Sequence, residues 1–422
     1  MKKYVKQAVG VCMAMLMAVS AGEYSGTIVQ AAENQETGGE TASVYEAGNV
    51  AQKEDGTVYY WEYDSASFEG SAALGYYKPI VGETNKLMMQ SLSGEKVMIG
   101  DMEGGGSLVL TDSSRIFYEK PVDQIGGYEI CSIDQNSGQT QTYGLGRIEA
   151  SDGKKIICSD STNYCIDSID AETGERTKLV DGSFLASHDG LIYYQPVEAD
   201  SGAATKGKVS FAVVDAQGGQ QKTLCTTEPD LYADDFQGTA SIVSMVFKDE
   251  YIYFSYGSYA GTGSVYAGGK IMKVKKDGTE AEVVAGMDGL RAPAFSVSED
   301  GTVVSQSIDE MYDYINSMDK YFTRNGSIYF MNENGEPAEL VTQADYASVG
   351  NVACGQFNDN EAVTIQFAEK IGNKVYMLLD HGVIDETSRV GWRTGYARVN
   401  SAMLSKDLDT GTVETVFRSE ER

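Results

Sequence analysis

Two stretches of this 422-residue chain gather residue types that recognise or transform ligands. The first reads Tyr256-Gly257-Ser258-Tyr259-Ala260-Gly261-Thr262-Gly263-Ser264-Val265-Tyr266. Tyrosines spaced by Gly, Ser and Thr set flat amphipathic rings among small hydrogen-bonding neighbours, the chemistry of an antibody paratope and one that suits sugar faces. It has neither a lysine nor the residue order of a phosphate-binding loop. The second stretch holds His381, Asp385, Glu386, Arg389, Trp392, Arg393 and Tyr396. Carboxylate, imidazole and guanidinium on one loop can do acid–base work or grip a polar ligand. The plainer alternative for both stretches is a solvated connecting loop. The only other histidine, His188, abuts the Asp189-Gly190 turn and is expected on the opposite face from His381, so the two do not share a site.

Other spacings exclude chemistry. Acidic turns such as Asp170-Ala171-Glu172-Thr173-Gly174 lack the carboxylate order of an EF-hand loop, and neither a metal nor a cofactor is expected. Beyond the N-terminal region stand Cys131, Cys158, Cys165, Cys225 and Cys354, which match no zinc spacing. They are expected as small buried apolar side chains. A Cys158–Cys165 bridge across a hairpin is the alternative, and an odd number leaves a free thiol either way.

The elements that must position these residues repeat along the chain. Asp55-Gly56 precedes Val58-Tyr59-Tyr60, Asp189-Gly190 precedes Ile192-Tyr193-Tyr194, and Asp249-Glu250 precedes Ile252-Tyr253-Phe254. Each repeat then continues to a second set of tight turns, as at Asp134 to Gly138, Asp170 to Gly174 and Asp409-Thr410-Gly411. Repeats of about 40 to 60 residues built from four short strands predict an all-β fold, a β-propeller. Seven blades are favoured, with the first and sixth irregular and six or eight still open. Residues 42–50 are expected to lend the last blade an outer strand and so close the ring.

Labelling the strands of a blade A to D from the inside out, the A–B and C–D turns fall on one face of the disc. The B–C connectors and blade-to-blade links fall on the other. The long connectors all belong to the second class: 257–269, 306–326 and 380–398 within blades, and 89–106, 226–238 and 342–360 between them. Long loops gathered on one rim of a rigid scaffold are where binding concentrates. The stripe Ile308, Met311, Tyr312, Ile315 and Met318 predicts a short helix over 309–318, capping the disc.

The formal charge of −29 repels phosphate backbones and anionic membrane surfaces, so a nucleic-acid partner is excluded. Lys2, Lys3 and Lys6 precede an apolar run over 8–21, too short to span a bilayer but suited to a secretion signal. Cleavage is expected after Ala31 in preference to Ala21, which leaves a mature charge of −31 once three lysines and one glutamate are gone. Cys12 lies inside the apolar run and lacks the context of a lipid anchor. No second apolar segment is of membrane length, so no membrane span is expected in the mature chain. The expected organisation is a signal peptide over 1–31, a flexible N-terminus over 32–44 and one propeller domain over 45–422.

The alternation of Asp-Gly, Ile-Tyr-Tyr and a closing Asp-x-x-x-Gly hairpin resembles secreted bacterial propellers related to the TolB-like and low-density-lipoprotein-receptor-type groups. The receptor-type signature Tyr-Trp-Thr-Asp is not kept; the nearest string is Tyr60-Trp61-Glu62-Tyr63-Asp64. The resemblance implies extracellular binding without a named reaction and carries over no catalytic residue. A sialidase would need repeated Ser-x-Asp-x-Gly-x-Thr-Trp boxes, and Ser298-Glu299-Asp300-Gly301-Thr302 has the residues without the spacing. The expected function is a secreted binding module that recognises a glycan or a protein partner through its long-loop face. The alternative is a glycosidase or polysaccharide lyase using loop carboxylates on that face.

Overall fold

Runs of β-branched and aromatic residues fit a pleated, buried surface, and Asp-Gly or Asn-Gly pairs between them reverse the chain with the right twist. The computed structural model describes residues 45–63, 68–71, 76–79, 81–82, 84–122, 127–160, 162–197, 209–219, 221–227, 241–260, 265–286, 294–298, 301–306, 321–331, 337–355, 361–384 and 396–419. The expected signal peptide, the segment 32–44 and the helix over 309–318 lie outside the described residues.

After β1 (Tyr45–Glu46), the first blade is β2 (Val50–Gln52), β3 (Val58–Glu62), β6 (Asn85–Gln90) and β7 (Lys96–Met102), with a hairpin of β4 (Phe68–Ser71) and β5 (Tyr76–Pro79) inserted. The second is β8 (Leu108–Leu110), β9 (Arg115–Pro121), β10 (Tyr128–Asp134) and β11 (Thr140–Leu145). The third is β12 (Arg147–Ser151), β13 (Lys155–Asp160), β14 (Cys165–Asp170) and the first half of β15 (Arg176–His188). The second half of β15 opens the fourth, continued by β16 (Leu191–Pro196), β17 (Ser210–Asp215) and β18 (Lys222–Thr226). The fifth is β19 (Ser241–Lys248), β20 (Tyr251–Ala260), β21 (Val265–Lys275) and β22 (Glu282–Gly286).

Next come a two-stranded sheet of β23 (Ala294–Val297) and β24 (Val303–Gln306), and a three-stranded one of β25 (Tyr321–Arg324), β26 (Ser327–Met331) and β27 (Pro337–Val341). A one-turn helix α1 (Gln343–Tyr346) leads to the C-terminal blade of β28 (Glu361–Ile371), β29 (Lys374–Ile384), β30 (Tyr396–Asp407) and β31 (Val413–Arg418). The chain is thus a β-propeller, with six four-stranded antiparallel blades among the described residues.

The second strands are buried from both sides, which explains their unbroken apolar character. Tyr59, Tyr60 and Trp61 are 0–1% exposed, as are Ile116 and Phe117. Each blade packs its faces on its neighbours: Tyr60 stacks on Phe417 of the C-terminal blade, with ring centroids 6.1 Å apart. In the turns Asp189-Gly190 and Asn325-Gly326 both residues have positive φ, the geometry of a type I′ hairpin. The C–D turns after Asp134, Asp170 and Asp407 share another device. Each Oδ1 accepts backbone N–H groups two and three residues on and the hydroxyl of Ser137, Thr173 or Thr410, at 2.7–3.1 Å.

Ring closure differs from the expectation for residues 42–50. The first and C-terminal blades are each built from their own consecutive strands, and β1 adds to β12, the inner strand of the third blade (Tyr45↔Ser151, Glu46↔Ala150). Gly48 bridges Leu108 at the inner edge of the second blade, and the chain then turns into β2 beside β28. The outer edge of the last blade gains no strand from the described N-terminal residues. Closure rests on side-chain packing and on Glu369 of β28, whose carboxylate accepts N–H groups of Asn49 and Val50.

Several expected loops are shorter than read. Strands β20 and β21 stay paired out to Ala260↔Val265, so 257–269 is largely a hairpin extension. Strand β25 occupies the end of 306–326, and β7 lies inside 89–106. Alternating Gly and Tyr, or Gly next to Lys and Val, reads as a loop in sequence, but pairing satisfies that backbone as a ladder. Cys158 and Cys165 carry free buried thiols, facing Asp167 and Asp160 in register rather than each other.

Candidate functional site

Chain reversals of a few residues, such as 53–57, 152–155, 189–190 and 372–373, join first to second strands; 135–139, 171–175 and 408–412 join third to fourth. All lie at one end of the blades. At the opposite end the described residues between strands are the β4–β5 hairpin, 103–107 and 342–355. Glu62 and Asn85, Pro196 and Ser210, and Ile384 and Tyr396 end or begin strands there with longer stretches of sequence between them. That end is the long-loop face.

The residues singled out from sequence divide. Tyr256 is 2% exposed and packs beside Phe254, with centroids 6.0 Å apart, so it belongs to the core. A bulge between Tyr256 and Ser258 shifts the register there. Tyr259 and Tyr266 are cross-strand partners near the tip of the β20–β21 hairpin. Asp385, Glu386, Arg389, Trp392 and Arg393 lie outside the described residues, between Ile384 and Tyr396, which face each other in register at the end of the β29–β30 ladder.

His381 sits three residues before that end, paired with Val363 on one side and Asn400 on the other. Its Nε2 lies 3.4 Å from Glu361 Oε2 without a hydrogen bond, and Gly350 packs directly on its ring. Asn400 Nδ2 donates to the Val349 carbonyl at 2.8 Å, which holds the 342–355 segment against this face of the blade. His188, beside its tight turn, stacks on Phe247 with ring centroids 4.2 Å apart. The two histidines lie at opposite ends of their blades, as expected.

A second cluster on the long-loop face was not singled out from sequence. It lies where the first three blades meet. Glu119, near the end of β9, is fully buried; its Oε1 accepts Arg147 Nε at 3.0 Å and Ile148 N at 2.8 Å, and its Oε2 accepts Ser107 N at 3.4 Å. Burial pushes this carboxyl above its ordinary pKa, and Arg147 opposes the rise. The guanidinium carbon of Arg147 stands 4.3 Å from the centroid of the Tyr128 ring, a cation–π contact. Lys120 bridges Glu103 and Glu129 at 3.4 and 3.6 Å nearby.

The link Gly104-Gly105-Gly106 passes over this cluster, and side chains would not fit there. A Cβ on Gly104 would lie 2.5 Å from Trp61 Cη2, and one on Gly106 2.9 Å from Glu119 Oε2. Among the described residues the buried Trp61 Nε1 finds no hydrogen-bond acceptor. In sequence Glu119 stands in phase with Phe117 on a core strand, but no spacing links it to Arg147 or to Gly104-Gly105-Gly106.

No protein-family model matches the chain, and comparison with curated proteins finds no match. Solved propellers show weak structural likeness. The propeller domain of the trilobed protease from Pyrococcus furiosus is 11% identical over 89% of this chain and 96% of that one, with a TM-score of 0.40. An oligogalacturonate lyase in complex with manganese is 11% identical over 80% and 85%, with a TM-score of 0.37. An uncharacterised protein of Listeria monocytogenes is 11% identical over 85% and 97%, with a TM-score of 0.36. The propeller assignment rests on the sheet order of the chain itself.

Proposed function

We propose that this chain is an extracellular binding module, exported by the signal at 1–31, that recognises a glycan or a protein partner through its long-loop face. Kinship with secreted TolB-like and low-density-lipoprotein-receptor-type propellers is part of the same proposal. The observation that carries it is an asymmetry between the two ends of the blades: the described strands are joined by minimal turns at one end, and at the other many of them are separated by longer stretches of sequence. A rigid scaffold that spends its extra chain on one rim presents that rim to a ligand.

A second reading, a carbohydrate-active enzyme, draws on one observation. His381 and Glu361 stand 3.4 Å apart at the foot of the segment that carries Asp385 and Glu386. A thermal-shift panel of neutral and acidic glycans and peptides on the purified protein tests the binding proposal. A ligand at about 100 times its Kd adds roughly 2.7 kcal/mol of apparent stability and raises Tm. A flat response from folded protein across the panel contradicts small-ligand recognition, and product release from a stabilising glycan supports the second reading.

A further inference from the structure

Building on the long-loop-face reading, we propose that Arg147 is a preoriented anchor for a carboxylate on a ligand that carries few other charges. Arginine offers five N–H donors in a planar fork. In Arg147 the Nε–H is spent on Glu119, and the guanidinium rests over the Tyr128 ring. Among the described residues no hydrogen bond runs from its Nη1 or Nη2, the Glu149 carboxylate is close enough to act on its charge, and the side chain is 36% exposed although its partner carboxylate is fully buried.

Arg176 shows what a purely structural arginine looks like in this fold. Its Nε also meets a carboxylate, Asp167 at 2.8 Å, but its Nη1 donates onward to the Tyr143 carbonyl at 3.1 Å, and its side chain is 21% exposed. Arg147 has the same grip at Nε, and among the described residues it makes no hydrogen bond from the other edge. It is the first residue of the inner strand β12, and Glu119 and Tyr128 stand at the same end of their strands, so the unused edge belongs to the long-loop face.

Two parallel N–H···O bonds from that edge match a carboxylate. Glu119 and Tyr128 have already fixed the side chain, so little rotamer entropy is lost on binding. The rest of the field limits the ligand. With Glu149 acting on Arg147, Glu103 and Glu129 nearby and a net charge of −29, a polyanion is repelled strongly and a single carboxylate on a neutral body far less. A sugar acid and the free C-terminus of a peptide share this chemistry.

The test titrates the full protein with glucuronic acid and with N-acetylglycine, each beside its neutral counterpart, glucose and N-acetylglycinamide, by calorimetry. At least one acid is expected to bind one-to-one, about tenfold or more tighter than its counterpart, and which acid binds separates the two sources. The double variant E119Q/R147Q, which removes both charges of the Glu119–Arg147 pair together, is expected to lose that preference. R147K keeps a cation beside Glu119 but loses the two-pronged edge and the flat stack on Tyr128, and is expected to weaken acid binding with a smaller loss of Tm than R147A.

Failure of both acids to bind overturns the proposal, as does equal binding of acid and neutral forms or full binding by both variants. A neutral glycan held equally well by the wild type and E119Q/R147Q would remove the carboxylate anchor and leave the long-loop-face reading standing.

Discussion

Glu369 Oε1 accepts hydrogen bonds from both the backbone N–H and the side-chain Nδ2 of Asn49, at 2.8 and 2.7 Å, across 320 residues of chain. With Glu369 Oε2 on Val50 N at 3.1 Å, this clamp ties the inner strand of the C-terminal blade to the start of the first. It does by side chain what an exchanged strand does in other closed rings. Removing it in E369A leaves two backbone donors without partners and is expected to lower unfolding stability by roughly 2–3 kcal/mol. E369Q, which keeps an acceptor, should lose less. Urea denaturation of the three proteins measures both.

Gly104 lies where only hydrogen fits. Its substitution by alanine would press a methyl group within 2.5 Å of Trp61 and 3.1 Å of Tyr118. The expected cost is roughly 1–3 kcal/mol, with a change in the emission of the buried indole, and fluorescence-monitored unfolding reports both. An unchanged midpoint would mean that the link is not held against the aromatic floor.

The pH dependence has a defined sign. Hydrogen bonds from Ser114 and Ser137 hold the Asp134 carboxyl at about 2, and those from Thr173 and Thr410 hold Asp170 and Asp407 below the ordinary 3.8. A carboxylate with a depressed folded-state pKa stabilises above its unfolded value, and that contribution is lost as pH falls through the folded value. The C–D turns should therefore loosen together between about pH 4 and 2. Hydrogen exchange at Ser137, Thr173 and Thr410 is the direct readout.

His188 adds a second acid-sensitive step. Burial lowers its pKa below 6.5, so the unfolded chain takes up a proton more readily and stability falls as pH drops below about 6.5. H188F should keep the stack on Phe247 and flatten the stability profile between about pH 5 and 7, as followed by Tm.

Much of this fold was legible because it is local. Ile192-Tyr193-Tyr194 after Asp189-Gly190 predicts a buried strand after a type I′ turn, and the structure has both. What failed depended on distant partners. Tyr256 reads as a loop aromatic among glycines and serines, but pairing with Lys270 extends the strand and carries the ring inside. Residues 42–50 read as a closing outer strand of the last blade, yet 45–46 lie along β12. The Glu119–Arg147 pair was invisible because its members stand 28 residues apart in different blades, and no spacing rule joins them.

The β20–β21 hairpin gives a graded test of the aromatic tip. Replacing 259–266 with Asn-Gly removes Tyr259 and Tyr266 but keeps the buried Tyr256, so Tm should stay within a few degrees. Loss of ligand stabilisation in that variant, with folding intact, would place these tyrosines in the contact.

The most direct measurement compares the two faces of the disc. Three proteins are needed: the wild type, one with 385–395 and 261–264 shortened to tight turns, and one with the tight turns at 53–57, 135–139 and 171–175 recoded. Each is titrated with whichever ligand stabilises the wild type. Binding by the long-loop face predicts that the first variant loses affinity at least about tenfold while the second matches the wild type. Equal binding by the first variant, or loss confined to the second, would contradict it.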